Sequence, residues 1–210
     1  HFDLQSMGCN TAESVHLMVE AKRLSFADRE KYVADPDWVD IPLQGMLSKA
    51  YAAKQATRIN LNQMLTKVTS GTPEQFEDTT CFCVADRWGN AVCVLQSIQS
   101  GFGSSLIAGH TGILLNNRMT YWHLDNDHVD SLEPGKRVRH TMNPVMVFSE
   151  TDTTRDLFMV LGTPGADTQV QTNLQLLSHT IDFGMTVAEA AEAPRWRHVQ
   201  GPTESTYPRT

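Results

Sequence analysis

The chain has 210 residues, with 17 Lys and Arg against 24 Asp and Glu and a formal net charge of -7 at pH 7. Its 40% hydrophobic and 20% charged residues are the balance of a soluble globular protein with a sizeable core. No basic block exists to meet a nucleic-acid backbone or an anionic membrane surface, and no apolar run approaches bilayer-spanning length.

Asn10, with Glu13 three residues on, reads as a helix start. The run after it places Val15, Met18, Val19, Ala21, Leu24 and Phe26 mostly on one side of a long amphipathic helix. Pro36 biases Asp35 away from helical geometry and ends it near DPDWVD. MLSKAYAAKQATRI reads as a second helix without internal Gly or Pro. TKVTSGTPEQFED is then a mobile connector rich in turn formers.

At Thr79 the pattern changes. TTCFCVAD and AVCVLQSI flank Arg87, Trp88, Gly89 and Asn90 and read as a β-hairpin. TGILLNN, NPVMVFSE and DLFMVLG add three strand candidates. TQVQTNLQLLSHTIDF is a helix stopped by Gly184, and TVAEAAEAP a last short helix closed by Pro194. Helices, then strands, then helices define an α+β layered domain rather than a βαβ repeat.

Four cysteines, Cys9, Cys81, Cys83 and Cys93, match no usual zinc spacing, so neither a metal nor another cofactor is expected. Cys81 and Cys83 share a strand face. Whether Cys93 joins them depends on a one-residue choice of register. Free thiols favour a reducing, cytoplasmic compartment, with periplasmic or secreted placement left open. HLDNDHVD, from His123 to Asp130, lacks the Gly and terminal Glu of a calcium loop and reads as a solvated acidic loop. SGFGSS puts Leu106 where a dinucleotide fingerprint needs its third Gly. GTPGADT, from Gly162 to Thr168, follows a strand and opens a helix. It lacks the Lys of a phosphate loop, yet the N–H groups of Gly165 and Ala166 could approach a tetrahedral oxyanion. A plain glycine turn is the competing reading.

DTTCFCVADRWGNAV, FGSSLIAGHTGILLNNRM, LEPGKRVRHTMNP and LGTPGADTQVQTNLQLLSHTIDFG, in this order, resemble the γ-glutamyltransferase family of N-terminal nucleophile hydrolases. AESVHLMVEAKRLSFADREKYVADPDWV resembles a helix near the end of that family's large subunit. The resemblance implies a four-layer αββα sandwich. Residues 1–78 would be the C-terminal part of the large subunit and 79–210 the small subunit, the two held as a heterodimer cut from one precursor. It implies self-cleavage between Asp78 and Thr79, since a threonine hydroxyl needs a base and the freed α-amine supplies one. Ser97 would orient the nucleophile, and Gly165 and Ala166 would hold the oxyanion. No cofactor is implied, and the partner is a small-molecule amide substrate.

The same resemblance places Gln99, Asn117, Arg118, Tyr121, His140 and Thr141 in the substrate pocket. Where well-known γ-glutamyl enzymes carry an acidic clamp for an α-amino group, this sequence reads Gln99, Arg118 and Tyr121. A cation there repels an ammonium and suits an anionic acyl group. LQSIQSGFG, NNRM and GADTQVQT are closer to the oxamate amidohydrolase and cephalosporin acylase-like branch. Three functions therefore stand: γ-glutamyl hydrolase or transferase acting through a threonyl acyl-enzyme, amidohydrolase or acylase for a small anionic acyl group of oxamate or glutaryl type, and an unprocessed, non-catalytic binding domain.

Overall fold

The computed structural model describes residues 1–65 and 77–199. The expected connector lies largely outside them. Among the described residues no helix is long and apolar enough to cross a membrane. The chain divides into two compact units: unit 1 is His1–Pro73, Met119–Arg139 and Gln175–Thr210, and unit 2 is Glu74–Arg118 and His140–Leu174. Helices and two small antiparallel sheets make the class α+β.

Unit 1 opens with α1 (Leu4–Met7), capped by the Asp3 carboxylate on Ser6 N–H at 3.1 Å. The long helix follows as α2 (Ala12–Tyr32). Its cap is Thr11, which accepts Ser14 N–H at 3.2 Å. Asn10, the expected cap, instead takes a left-handed turn at φ 53° and reaches Pro194 O at 2.9 Å. The buried side of α2 is only partly apolar: Leu17, Met18, Leu24 and Phe26 are joined by Glu20, Lys22 and Arg23, whereas Ala21 is exposed. Those charges are matched internally. Glu20 pairs with Arg23 and accepts Leu65 N–H at 3.0 Å, while Arg23 donates to Leu65 O at 2.7 Å.

After α2, buried Asp35 organises the expected turn by accepting Asp37 N–H at 3.1 Å and Arg137 N–H at 2.7 Å. The expected second helix, residues 46–59, is shortened at both ends, and a separate turn of helix precedes it. Leu43–Met46 forms α3 and Lys49–Ala56 forms α4. Ser48 delays the start of α4, because its hydroxyl accepts Tyr51 N–H at 3.1 Å and so serves as a cap rather than an interior residue.

Unit 2 is built on the hairpin β1 (Glu77–Ala85) and β2 (Ala91–Ser100). The Asp86 carboxylate holds its turn through Trp88 N–H at 2.8 Å and Asn90 N–H at 3.0 Å, and Gly89 takes φ 84°. Asp86 N–H donates to Asn90 O at 3.0 Å, which makes these two a hydrogen-bonded pair. The register then alternates, so Cys83↔Cys93, Cys81↔Leu95 and Thr79↔Ser97 are the close, non-hydrogen-bonded pairs. At Asp78/Thr79 the register slips, leaving Ile98 as the extra residue of a bulge, and Gln99 opposite Asp78 takes φ 78°. The strand thus begins at Glu77, before the two threonines.

The second sheet pairs β3 (Val145–Glu150) with β4 (Arg155–Leu161). TGILLNN is not a strand. It folds back on the preceding loop through Ala108 N–H to Ile113 O and Leu115 N–H to Leu106 O, both 2.9 Å, with a single bridge between Ile107 and Leu114. The turn between the two segments leaves no room for a ladder. Helix α5 (Thr168–Ile181) follows β4, and Gly184 at φ 67° lies beyond its end. Last is α6 (Val187–Glu192), started by a capping box of Thr186 and Glu189.

Candidate active site

The close pairing of Thr79 with Ser97 brings two hydroxyls together at the start of the hairpin. Thr79 Oγ1 donates to Ser97 Oγ at 2.9 Å, and the backbone N–H of Gln99 donates to the same Ser97 oxygen at 2.9 Å. That second bond holds Ser97 as the acceptor of the Thr79 proton, so the lone pairs of Thr79 Oγ1 face away from it. The bulge places Gln99 N–H there, at the cost of a left-handed backbone of about 1–2 kcal/mol.

A chain of hydrogen bonds fixes the Gln99 side chain. Ser100 N–H can only donate, so Asn117 presents its Oδ1 to it, at 3.0 Å. Asn117 Nδ2 then donates to Ser100 Oγ at 3.0 Å, and that hydroxyl passes its proton to Gln99 Oε1 at 2.8 Å. What remains is Gln99 Nε2, a buried donor with no partner among the described residues, on a residue only 2% exposed. Such a group is costly unless an acceptor arrives.

Arg118 is buried beside Thr141, with Nη1 3.4 Å from Thr141 Oγ1. Its backbone N–H is held by Asn116 Oδ1 at 2.9 Å, which starts a short 3-10 helix, Arg118–Tyr121. The His140 ring has its pKa lowered, first by desolvation and then by the Arg118 charge, and Nδ1 accepts Met142 N–H at 3.3 Å. His140 is therefore neutral near pH 7. Tyr121 belongs to unit 1 and is fully buried, while every other expected pocket residue falls in unit 2.

The GTPGA turn leaves β4 beside the Thr79 face of the hairpin. A Cβ on Gly162 would come within 2.7 Å of Cys81 Sγ and 2.9 Å of Cys93 Sγ, so only glycine fits there. Gly165 has φ 118° and Ala166 φ 40°. Their carbonyls accept Thr168 N–H at 2.7 Å and Gln169 N–H at 3.1 Å, which opens α5. The amides around a helix start are the ones its own ladder does not use.

Two clusters of metal-ligating types occur among the described residues: Cys81, Cys83 and Cys93 in unit 2, and Glu30, His123 and His128 in unit 1. Burial pushes the Cys81 thiol up to about 12, and Cys93 adds to the shift. In the second cluster the imidazoles stack at 3.4 Å with planes only 12° apart, so their lone pairs run side by side rather than converging. Glu30 is 3.2 Å from His123 Nε2 and 3.3 Å from Arg139, and Asp130 N–H donates to His128 Nδ1 at 3.1 Å. The expected solvated loop is thus partly packed, with Asp130 fully buried.

Paired strand hydroxyls, a glycine turn opening a helix and a buried cation make unit 2 the place of the candidate site on an α+β scaffold. The gamma-glutamyltranspeptidase profile matches residues 1–209. The chain is 34% identical to the glutathione hydrolase proenzyme of Escherichia coli (strain K12) over 97% of its own length and 37% of that protein's. It is 36% identical to the glutathione hydrolase-like YwrD proenzyme of Bacillus subtilis (strain 168), over 93% and 36%. The Acylase ACY 1 proenzyme of Pseudomonas sp. (strain SE83) is 34% identical over 92% and 34%. Among solved structures, cephalosporin acylase from Bacillus halodurans aligns with TM-score 0.76 at 31% identity, covering 94% of this chain and 35% of that one. The chain belongs to the gamma-glutamyltranspeptidase family and spans about a third of the length of these curated relatives.

Reading the sequence alone missed Ser100, the relay between Asn117 and Gln99, and the bulge that positions Gln99. Ser100 carries no motif signal. The bulge is visible only once both strands are in register.

Proposed function

We propose that this chain carries the nucleophile of a self-processing hydrolase or transferase that cleaves amides through a threonyl acyl-enzyme, with a small anionic acyl group as the preferred substrate. The observation that carries the reading is the 2.9 Å contact between Thr79 and Ser97, with Ser97 held by Gln99 N–H. In maturation, Thr79 Oγ1 attacks the Asp78 carbonyl carbon. The C–N bond breaks as the C–O bond forms, and water hydrolyses the resulting ester, leaving Thr79 with a free α-amine. Residues 1–78 then end the large subunit and 79–210 form the small one. In turnover the same oxygen attacks the substrate carbonyl and the amine takes and returns the proton. Gly165 and Ala166 N–H groups stabilise the oxyanion, worth about 2.7–4 kcal/mol for one such donor.

The substrate preference rests on the sign of the pocket. Gln99 offers only its N–H, Arg118 is a buried cation, and neutral His140 adds no acid to hold an ammonium. A carboxylate satisfies these donors, and an α-ammonium does not. The relatives named as acylases support this choice, while those named as glutathione hydrolases keep γ-glutamyl turnover as the second reading. The fold that accommodates such a site is the four-layer αββα sandwich, whose further layers would cover exposed Phe82, Val84 and Val92 on the outer hairpin face. Free cysteines fit a reducing, cytoplasmic setting.

The test is intact mass of full-length protein beside a Thr79→Ala variant, followed by parallel assays on oxamate, a glutaryl amide and a γ-glutamyl anilide. A fragment beginning at Thr79, absent from the variant, is expected. An uncut wild-type chain overturns the nucleophile, and faster turnover of the γ-glutamyl anilide than of both anionic substrates overturns the pocket assignment.

A further inference from the structure

We propose that Cys81, Cys83 and Cys93 form a three-thiolate site for one thiophilic cation of the zinc and cadmium class, on the face of the hairpin that carries Thr79. The three Sγ atoms lie within 4.8 Å of one another, and Cys81 and Cys93 are 3.9 Å apart. With metal–sulfur bonds of about 2.3 Å, tetrahedral ligands stand about 3.8 Å apart. One edge of the triangle already has that spacing, and the other two close by about 1 Å at most.

The hairpin register makes the triangle. Cys83 and Cys93 are direct partners, and the alternation that starts at the Asp86/Asn90 pair makes them a close one, with Cα atoms about 4.5 Å apart. Cys81, two residues back, projects from the same face. The spacing of 81, 83 and 93 matches no familiar metal motif because the third sulfur arrives across the turn.

The surroundings suit a bound ion. At Gly162 the backbone lies so close that a side chain would strike both Cys81 and Cys93 sulfurs, which limits the ways they can swing apart. The Cys93 thiol donates to Leu161 O at 3.3 Å, a hydrogen bond that is given up when the metal takes the sulfur. Cys83 remains exposed and gives solvent a route in. Thiolates select zinc, cadmium or copper(I) over magnesium and calcium. On binding, three S–H bonds break, three metal–sulfur bonds form and three protons pass to solvent, with no change of oxidation state. Water or a small anion takes the fourth position. The site uses no atom of Thr79, so it stands or falls apart from the acyl-enzyme reading.

The experiment is titration of reduced full-length protein with cadmium ion, without oxygen, followed by sulfur-to-cadmium charge-transfer absorption. One equivalent per chain is expected. Cys93→Ser abolishes the band, Cys83→Ser weakens binding at least tenfold, and Cys9→Ser and Thr79→Ala leave it unchanged. Should Cys93→Ser misfold, wild-type protein decides: bound cadmium is expected to protect Cys83, and not Cys9, from alkylation. Absence of the band, equal loss of it in Cys9→Ser, or alkylation of Cys83 at the same rate with and without cadmium overturns the proposal.

Discussion

Both units bury polar groups, and they differ in which kinds they bury. Unit 1 buries charged groups and forms ion pairs, Glu20 with Arg23, Asp35 with the exposed Arg137, and Glu30 with Arg139, while the carboxylate of fully buried Asp130 has no hydrogen-bond partner among the described residues. Unit 2 buries the neutral Gln99, whose Nε2 has no partner among the described residues, next to the Thr79 and Ser97 hydroxyls. Paired buried charges are expensive to break and say little about ligands. A buried donor left over by a fully determined hydrogen-bond chain can donate to a partner from beyond the described residues. The difference teaches where to look: unit 1 is rich in buried charge, and unit 2 holds the paired hydroxyls and the leftover Gln99 donor.

The largest effect that breaks this comparison falls on Thr79. Thr79→Ala is expected to abolish cleavage after Asp78 and to lower turnover by several orders of magnitude, as nucleophile deletions do. Intact mass and single-turnover assays check it. If activity survives, unit 2 is not the catalytic unit. Next is Glu20→Ala in unit 1, which leaves Arg23 buried without its carboxylate and frees the Leu65 N–H. A loss of about 3–5 kcal/mol is expected, read as a lower denaturant midpoint. Glu20→Ala with Arg23→Met together should recover part of that loss, because the uncompensated charge is gone.

A smaller effect sharpens the pocket. Arg118→Gln is expected to raise KM for an anionic acyl substrate about 10-fold to 100-fold, the worth of one hydrogen bond to a charged group. Gln99→Glu replaces the waiting donor with a carboxylate, and should act in the same direction without touching Arg118. Equal KM values in both variants and wild type would remove the anion from the pocket.

How much of this was legible differs between the same two units. In unit 2 the hairpin and the glycine turn could be read because strand alternation and turn residues act locally, while Thr79 and Ser97 were singled out through the family resemblance. The fate of Cys93 could not, since a one-residue slip would have turned it to the other face. Asn117 was legible as a pocket brace, but its action through Ser100 needed the two strands and the returning loop in place. In unit 1 the long helix was legible, yet its buried face was misread at Ala21, Lys22 and Arg23. Apolar periodicity cannot foresee that Glu20 and Leu65 will make a buried arginine acceptable. Ser48 delays the start of the second helix to Lys49 for a similar reason: the same hydroxyl suits a helix surface and a cap, and only the chain path decides.

The smallest effect is a pH dependence, and it belongs to unit 1. Desolvation first, and then the charges of His128 and Arg139, lower the His123 pKa to about 4, while Asp125 opposes them. Burial lowers His128 and His198 as well. An unfolded imidazole titrates near 6.5. As pH falls from that value toward about 4, the unfolded chain takes up protons that native His123 refuses, so stability falls with pH across the window. Asp130 works the other way, because burial raises its carboxyl, but it acts from the carboxylate range upward. The measured slope is therefore the imidazole contribution less the opposing one of Asp130, and a His123 substitution separates the two. Denaturant midpoints between pH 7 and pH 5 are expected to decline in wild type and to decline less in His123→Gln, which keeps a polar side chain but no titrating ring. His140 in unit 2 is lowered too, with Arg118 contributing to the shift. If His140→Gln flattened the profile more than His123→Gln, the acid-sensitive unit would be the catalytic one, and the division of labour between scaffold and site would have to be redrawn.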